Sequence, residues 1–65
     1  MIKEVKTFVE KKLSDAEHSY DPAYIRDMFF AAYGAVCFVA ENKYSEELVT
    51  WWDAEMWDKF HKLIN

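Results

Sequence analysis

The sequence predicts an all-α protein, a compact three-helix bundle whose neighbouring helices are antiparallel and which a second copy of the chain could complete. The first observation is that apolar residues recur at intervals of three and four along most of the chain, the period of one helix face. The second is that its 65 residues include one glycine and one proline, a composition that argues against a turn-rich β-sandwich and excludes a collagen-like chain. A chain of this length forms a single domain, here residues 1–65.

The first predicted helix covers residues 2–17. Its apolar residues form one stripe, namely Ile2, Val5, Val9, Leu13 and Ala16. Phe8 lies about 100° away from this stripe at 100° per residue. A capping-box sequence begins at Ser14, so a helix break at that point is the alternative prediction.

The second predicted helix covers residues 22–41. Asp21 is a suitable N-cap, because its carboxylate can accept hydrogen bonds from free backbone N–H groups. Pro22 then occupies the first helical position, where no N–H is needed. Tyr20 and Ile25 have the spacing of a hydrophobic staple, in which the residue before the cap packs on the first turn.

Both sides of the second helix are apolar. One side carries Ile25, Met28, Phe29, Ala32, Val36 and Val39, and the opposite side carries Phe30, Ala31, Gly34, Cys37 and Phe38. A helix that is apolar all round is usually buried all round. We therefore expect this helix to lie between the other two or to meet a second chain as well. Gly34 and Ala31 would form a notch between two phenylalanines, suited to a closely packed neighbour.

The third predicted helix covers residues 45–63. Ser45 is its expected N-cap, and the two glutamates that follow suit the positive end of the helix dipole. Tyr44 and Val49 have the spacing of a second staple. The apolar stripe of this helix is expected to contain Val49, Trp52, Met56, Phe60 and Leu63.

Twelve aromatic residues exceed what one small core needs. Trp51 lies about 140° from the centre of the third stripe and Trp57 about 100° from it, so both cannot face the same core as Trp52. Tryptophan is a typical anchor of protein–protein contacts. The predicted contact residues are Phe30, Gly34, Phe38, Trp51 and Trp57. The alternative is that irregular packing hides the tryptophans within the monomer.

The charge pattern bears on partners and location. The formal net charge of −4 disfavours a general nucleic-acid binder, which needs clustered cations to displace phosphate counterions. The longest uncharged apolar run, 28–40, has 13 residues and falls short of the ~20 needed to span a bilayer. With no signal-peptide pattern and one cysteine, the prediction is a cytoplasmic protein without a membrane partner.

No catalytic constellation is predicted. His18 and His61 fall in the last turns of helices, where a donor suits free carbonyl groups. Cys37 lies within an apolar helix face and is expected to be inert. The carboxylates of the third helix are expected to face solvent. We therefore predict a non-enzyme with no metal site, no cofactor and no small-molecule substrate.

The segment 32–39, followed by Trp52, Glu55, Trp57, Phe60 and Leu63, resembles short hypothetical proteins of gut-type bacteria and of their phages or mobile elements. The resemblance covers about the C-terminal half of the chain. It implies that the chain is an accessory protein, and it assigns no role to any individual residue.

The predicted function is a small protein–protein interaction or oligomerisation module, with another protein or a second copy as its partner. One alternative is a nucleic-acid-directed regulator of helix-turn-helix type, although Glu46 and Glu47 would then lie near phosphates. The other alternative is an acidic inhibitor that docks on a basic partner.

Overall fold

The helical architecture is seen in a computed structural model, which describes residues 2–43 and 46–64. Its elements are α1 (Ile2–Glu17), α2 (Pro22–Lys43), α3 (Glu46–Trp51), a π-helical turn (Trp52–Met56) and α4 (Trp57–Ile64). The last three follow one another without a break, and together we call them the third segment. The predicted all-α three-helix bundle is confirmed, with overall dimensions of 34 × 17 × 16 Å.

The α1 helix has the predicted bounds and buries the predicted stripe. Val5, Val9, Leu13 and Ala16 are buried, and Ile2 packs against them. The helix continues through Ser14, so the alternative break there is wrong. Beyond the last turn, the His18 Nδ1 atom lies 2.7 Å from the Ser14 carbonyl oxygen. Because a carbonyl only accepts, Nδ1 carries the proton, and His18 caps the end of α1 as expected.

The α2 helix begins with the predicted N-cap residue, Asp21. The Asp21 Oδ1 atom accepts from the Ala23 N–H at 3.0 Å, and the Asp21 carbonyl accepts from the Ile25 N–H at 3.0 Å. The staple is wrong, because Tyr20 is fully exposed and cannot pack on Ile25. At the other end α2 runs two residues past the predicted limit, and the Asn42 amide donates to the Phe38 carbonyl at 2.8 Å.

One core joins all the helices. Its buried members are Val5, Val9, Leu13, Ala16, Ile25, Phe29, Ala32, Val36, Val39, Leu48, Trp52, Met56 and Phe60. Those from α2 lie on one side of that helix, and the same side contacts both α1 and the third segment. Within the described chain α2 is therefore not buried all round, because two neighbours on one side leave the opposite side exposed. The predicted alternative, a second chain on that side, stays a prediction.

The core stripe of the third segment begins at Leu48 rather than at the predicted Val49, which is exposed. The buried residues Leu48, Trp52, Met56 and Phe60 are four positions apart, a spacing that drifts around a regular α-helix. The π-helical turn widens the helix at Trp52–Met56 and offsets this drift. Leu63 is half-buried against the core. The predicted cap Ser45 and the staple residue Tyr44 lie outside the described residues.

The absence of a membrane span stays a prediction, although the helix that contains the 13-residue run is longer than that run. By length and composition alone, one helix among the described residues is long and apolar enough to cross a membrane, because α2 continues past the uncharged run 28–40 at both ends, through Asp27 and Glu41. The stretch that meets this criterion is Pro22–Asn42. An 18-residue part of it has a mean hydropathy of 1.3, and 28% of that part is buried inside the bundle. Core helices of soluble proteins meet the same criterion, so localisation stays a prediction.

The cap at Asp21 yields a stability prediction. Replacing it in Asp21→Ala removes the acceptor for the Ala23 N–H and should lower the free energy of unfolding by about 1 kcal/mol. Urea denaturation followed by circular dichroism measures this change. Asp27→Ala is the matched control, because Asp27 is an exposed acid within the same helix, and it should change stability by less than ~0.5 kcal/mol. Equal effects of the two substitutions would show that the cap contributes nothing.

Candidate functional site

The side of α2 that faces away from the core is the most conspicuous surface of the described chain. We define the outer face of α2 as Phe30, Ala31, Gly34, Cys37 and Phe38. Phe30 is 61% exposed and Phe38 is 67% exposed, while Ala31 and Cys37 are half-buried. None of the five residues carries a charge, and exposed acids, Asp27 and Glu41, stand beyond the two ends.

Gly34 lies at the centre of the outer face. Among the described residues, no atom outside its own helix lies within 4 Å of the position that a Cβ would take there. Glycine inside a helix costs about 1 kcal/mol relative to alanine. Since alanine would fit within this chain without a clash, packing inside the monomer does not explain the glycine.

Two shallow grooves flank α2, each with a volume of about 360 Å³. The groove toward α1 is almost wholly apolar and is lined by Glu4, Val5, Phe8, Ala35, Phe38 and Val39. The groove toward the third segment is lined by Tyr33, Val36, Cys37, Ala40, Val49, Trp52, Asp53 and Trp57. Phe38 and Cys37 therefore form walls of opposite grooves, and the outer face is a ridge between them.

The π-helical turn determines where Trp57 lies. The Trp57 N–H bonds to the Trp52 carbonyl, five residues back, and this wide turn brings the two indoles to a ring separation of 6.4 Å. Trp57 also contacts Phe29 at 5.8 Å and Tyr33 at 6.4 Å. The predicted angle of about 100° between Trp57 and the centre of the core stripe assumed 100° per residue throughout, and the π-helical turn makes that angle smaller. Trp57 is 38% exposed and lies beside α2.

Trp51 lies apart from the outer face of α2 and lines neither flanking groove. It is half-buried against the core, and the Lys6 ammonium of α1 lies 5.4 Å from the centre of its ring. Lys6 also lies 3.8 Å from a Glu47 carboxylate oxygen, an exposed pair of small energetic value. The structure thus places Phe30, Gly34 and Phe38 together, with Trp57 nearby, and separates Trp51 from them.

The ionisable groups that line the groove toward the third segment are Tyr33, Cys37 and Asp53. A hydrogen bond with Cys37 raises the pKa of the Tyr33 phenol above its usual value near 10, with smaller contributions from the charges of Cys37 and Asp53 and from burial. A raised pKa means that the folded chain favours the neutral phenol. The associated stability is present at neutral pH and is lost as the pH rises through the pKa of the folded state.

The histidines have structural partners. The His61 Nδ1–H donates to the Trp57 carbonyl at 3.0 Å, and the His61 ring lies against the Trp57 indole at a tilt of 31°, with 3.9 Å between the ring centres. His18 caps α1, as described above. Across residues 2–43 and 46–64, no three His, Cys, Asp or Glu side chains are placed to hold a metal ion. The acids Glu47, Asp53 and Asp58 of the third segment face solvent.

Comparison of the sequence with protein-family models, and of the chain with curated proteins and with solved structures, finds no match. The resemblance to short proteins of bacteria and mobile elements therefore stays a prediction.

The π-helical turn yields a prediction about the register of the third segment. Deleting Ala54, an exposed residue within the turn, converts the five-residue step from Trp52 to Trp57 into an α-helical step of four. Both flanking helices then keep their faces toward the core, so the free energy of unfolding should change by less than ~1 kcal/mol.

Deleting Lys59 is the matched control. Lys59 is also exposed, but its removal rotates the buried Phe60 by about 100° from the upstream core residues. That change should cost about 3 kcal/mol or more. Chemical denaturation of both variants tests the difference, and equal losses would contradict our description of the turn.

The contact between Tyr33 and Cys37 yields a titration prediction. Cys37→Ala removes the leading cause of the raised pKa, so the phenol should titrate at lower pH than in the wild-type chain. NMR observation of the Tyr33 ring carbons against pH measures this directly. Cys37→Ser also removes the charge contributed by Cys37 and leaves a hydroxyl that can donate to the phenolate, so the phenol should again titrate at lower pH than in the wild-type chain. An unchanged titration in Cys37→Ala would show that the contact does not act on Tyr33.

Proposed function

We propose that this chain is a small, non-enzymatic protein-interaction module whose binding surface is the outer face of α2. The observation that carries the proposal is the exposure of Phe30 and Phe38 on a helix whose other side is committed to the core. Taking about 200 Å² for each phenylalanine side chain, the two rings alone expose roughly 250 Å². With the apolar walls of the groove toward α1, this patch reaches the size that marks interaction sites on small proteins.

Gly34 supports the proposal that the outer face of α2 binds another protein. An exposed helix position that tolerates a side chain usually carries one, because glycine weakens the helix. The glycine is explained if a helix or strand of a partner packs between the two phenyl rings, because the absence of a side chain lets the partner approach the backbone of α2. The absence of charge along the outer face between Asp27 and Glu41 also suits an apolar protein surface, since interface cores are depleted of charged residues.

The surface can be tested by site-specific photo-crosslinking in cells of the natural host. A photoreactive phenylalanine analogue is placed at Phe30 or at Phe38, and in a third variant at Tyr20. Tyr20 is the matched control, because it is aromatic and fully exposed but lies in the connection between α1 and α2. We expect protein adducts from the two positions on α2 and few or none from Tyr20.

Adducts of equal yield at all three positions, or none at any of them, would contradict the proposal. The mass of each adduct also reports the partner. An adduct of two copies of the chain indicates self-association, and an adduct with a different protein indicates a heterologous partner. Both results are consistent with an interaction module.

A further inference from the structure

The geometry points to a second copy of this chain as the occupant of the outer face of α2, packed antiparallel with Gly34 at the crossing. This inference rests on the proposed function and names its partner. The first observation behind it is a symmetry of residue types about Gly34. Phenylalanine stands four positions away on each side, a small residue three positions away, and an acid seven positions away, namely Phe30 and Phe38, Ala31 and Cys37, and Asp27 and Glu41.

A two-fold dimer uses the same surface twice, so each residue meets the residue that mirrors it about the axis. With the axis passing beside Gly34 and perpendicular to both helices, Phe30 of one copy lies level with Phe38 of the other. At 100° per residue, Phe30 and Phe38 lean about 40° to opposite sides of the Gly34 direction. The two rings therefore pass side by side instead of colliding, and the two glycines let the helix backbones approach.

Each end of this dimer brings Arg26 and Asp27 of one copy level with Glu41 of the other, so the arginine offsets the repulsion between the two acids. Arg26 and Glu41 lean to the same side of the Gly34 direction, by about 80° and 20°, and both are exposed. The two-fold axis brings Arg26 of one copy level with the end of the other copy that carries Glu41. Within one chain these residues are about 22 Å apart along α2, beyond the ~8–10 Å over which exposed charges interact at ordinary ionic strength.

The available area predicts the strength of the dimer. The α2 helix is about 33 Å long, and a partner helix 10–12 Å wide covers roughly 350–400 Å² of it. A stable specific interface buries about 800 Å² on each partner, less than a fifth of the 4561 Å² that this chain exposes. Contacts with the flanking grooves add to the area along the ridge. The ridge alone supplies about half of that area, so we expect a weak, reversible dimer.

A membrane is the competing occupant of an apolar helix face. Two features argue against it. Acids stand beyond both ends of the outer face, where anionic headgroups would meet them, and the opposite side of α2 supplies Ile25, Phe29 and Val36 to the core, which a spanning α2 would have to abandon. A second copy leaves that core intact.

The pairing of Arg26 with Glu41 provides a test by sedimentation velocity across a concentration series. Arg26→Glu removes the arginine at each end, leaves three acids together there, and should weaken dimerisation about five- to tenfold. Adding Glu41→Lys restores an opposite pair and should return the dissociation constant to near the wild-type value. The matched control combines Arg26→Glu with Glu55→Lys, because Glu55 is an exposed acid of the third segment and the net charge is the same. This control should stay weak.

A second variant tests the crossing at Gly34. Gly34→Leu should fold, because no described atom outside the helix lies within 4 Å of the position that its Cβ would take and the position is exposed. Far-ultraviolet circular dichroism checks that it does. The leucine separates the two backbones, so the variant should be monomeric at concentrations where the wild type dimerises.

Three results would overturn the inference. These are a wild-type chain that stays monomeric at all concentrations, equal rescue by Glu41→Lys and Glu55→Lys, or association with lipid vesicles in the absence of self-association. The first result combined with photo-crosslinks to a different protein would refute the homodimer and leave the interaction module standing. A lack of any adduct at Phe30 and Phe38 would refute both.

Discussion

The position of the third segment depends on the ring of Phe29. This ring lies between 5.3 and 6.1 Å from the rings of four residues of that segment, namely Trp52, Trp57, Phe60 and His61. Loss of a buried phenylalanine costs about 3–5 kcal/mol, which equals the whole stability that a core of this size usually provides. Phe29 projects from the same side of α2 that meets α1, so one side of α2 holds the bundle together.

This one-sided packing creates the candidate surface. Once both neighbours contact the inner side of α2, Phe30 and Phe38 have no partner within the described chain that covers them, and their rings remain mostly exposed. A bundle with α2 in the middle would have hidden them. The π-helical turn contributes to this one-sided packing. It directs Trp57 toward Phe29 and Tyr33, so a single helical segment completes the core. The exposed apolar ridge follows from the way the core is built.

Much of the fold was predictable because it depends on local rules. The stripe of α1 and the cap at Asp21 follow from helix period and from backbone hydrogen bonding, and both are confirmed. Predictions that assumed a uniform helix failed, because no sequence signal marked the π-helical turn that buries Leu48 in place of Val49 and moves Trp57. The ridge residues Phe30, Gly34 and Phe38 could be identified because they lie opposite the inner stripe. Which side of α2 would be covered could not be predicted, because the arrangement of three helices depends on packing between them.

Gly34 offers the most direct measurement of the central claim, that the outer face of α2 is covered by a second copy of the chain. It is the only glycine in the sequence, so its amide signal is identifiable by residue type in a two-dimensional nitrogen–proton NMR spectrum. We predict that this signal shifts progressively as the protein concentration rises from low micromolar to millimolar, while the signals of Ser19 and Tyr20 in the α1–α2 connection stay constant. A Gly34 signal that does not move over the whole range, or that moves no more than the signal of Tyr20, would contradict the claim.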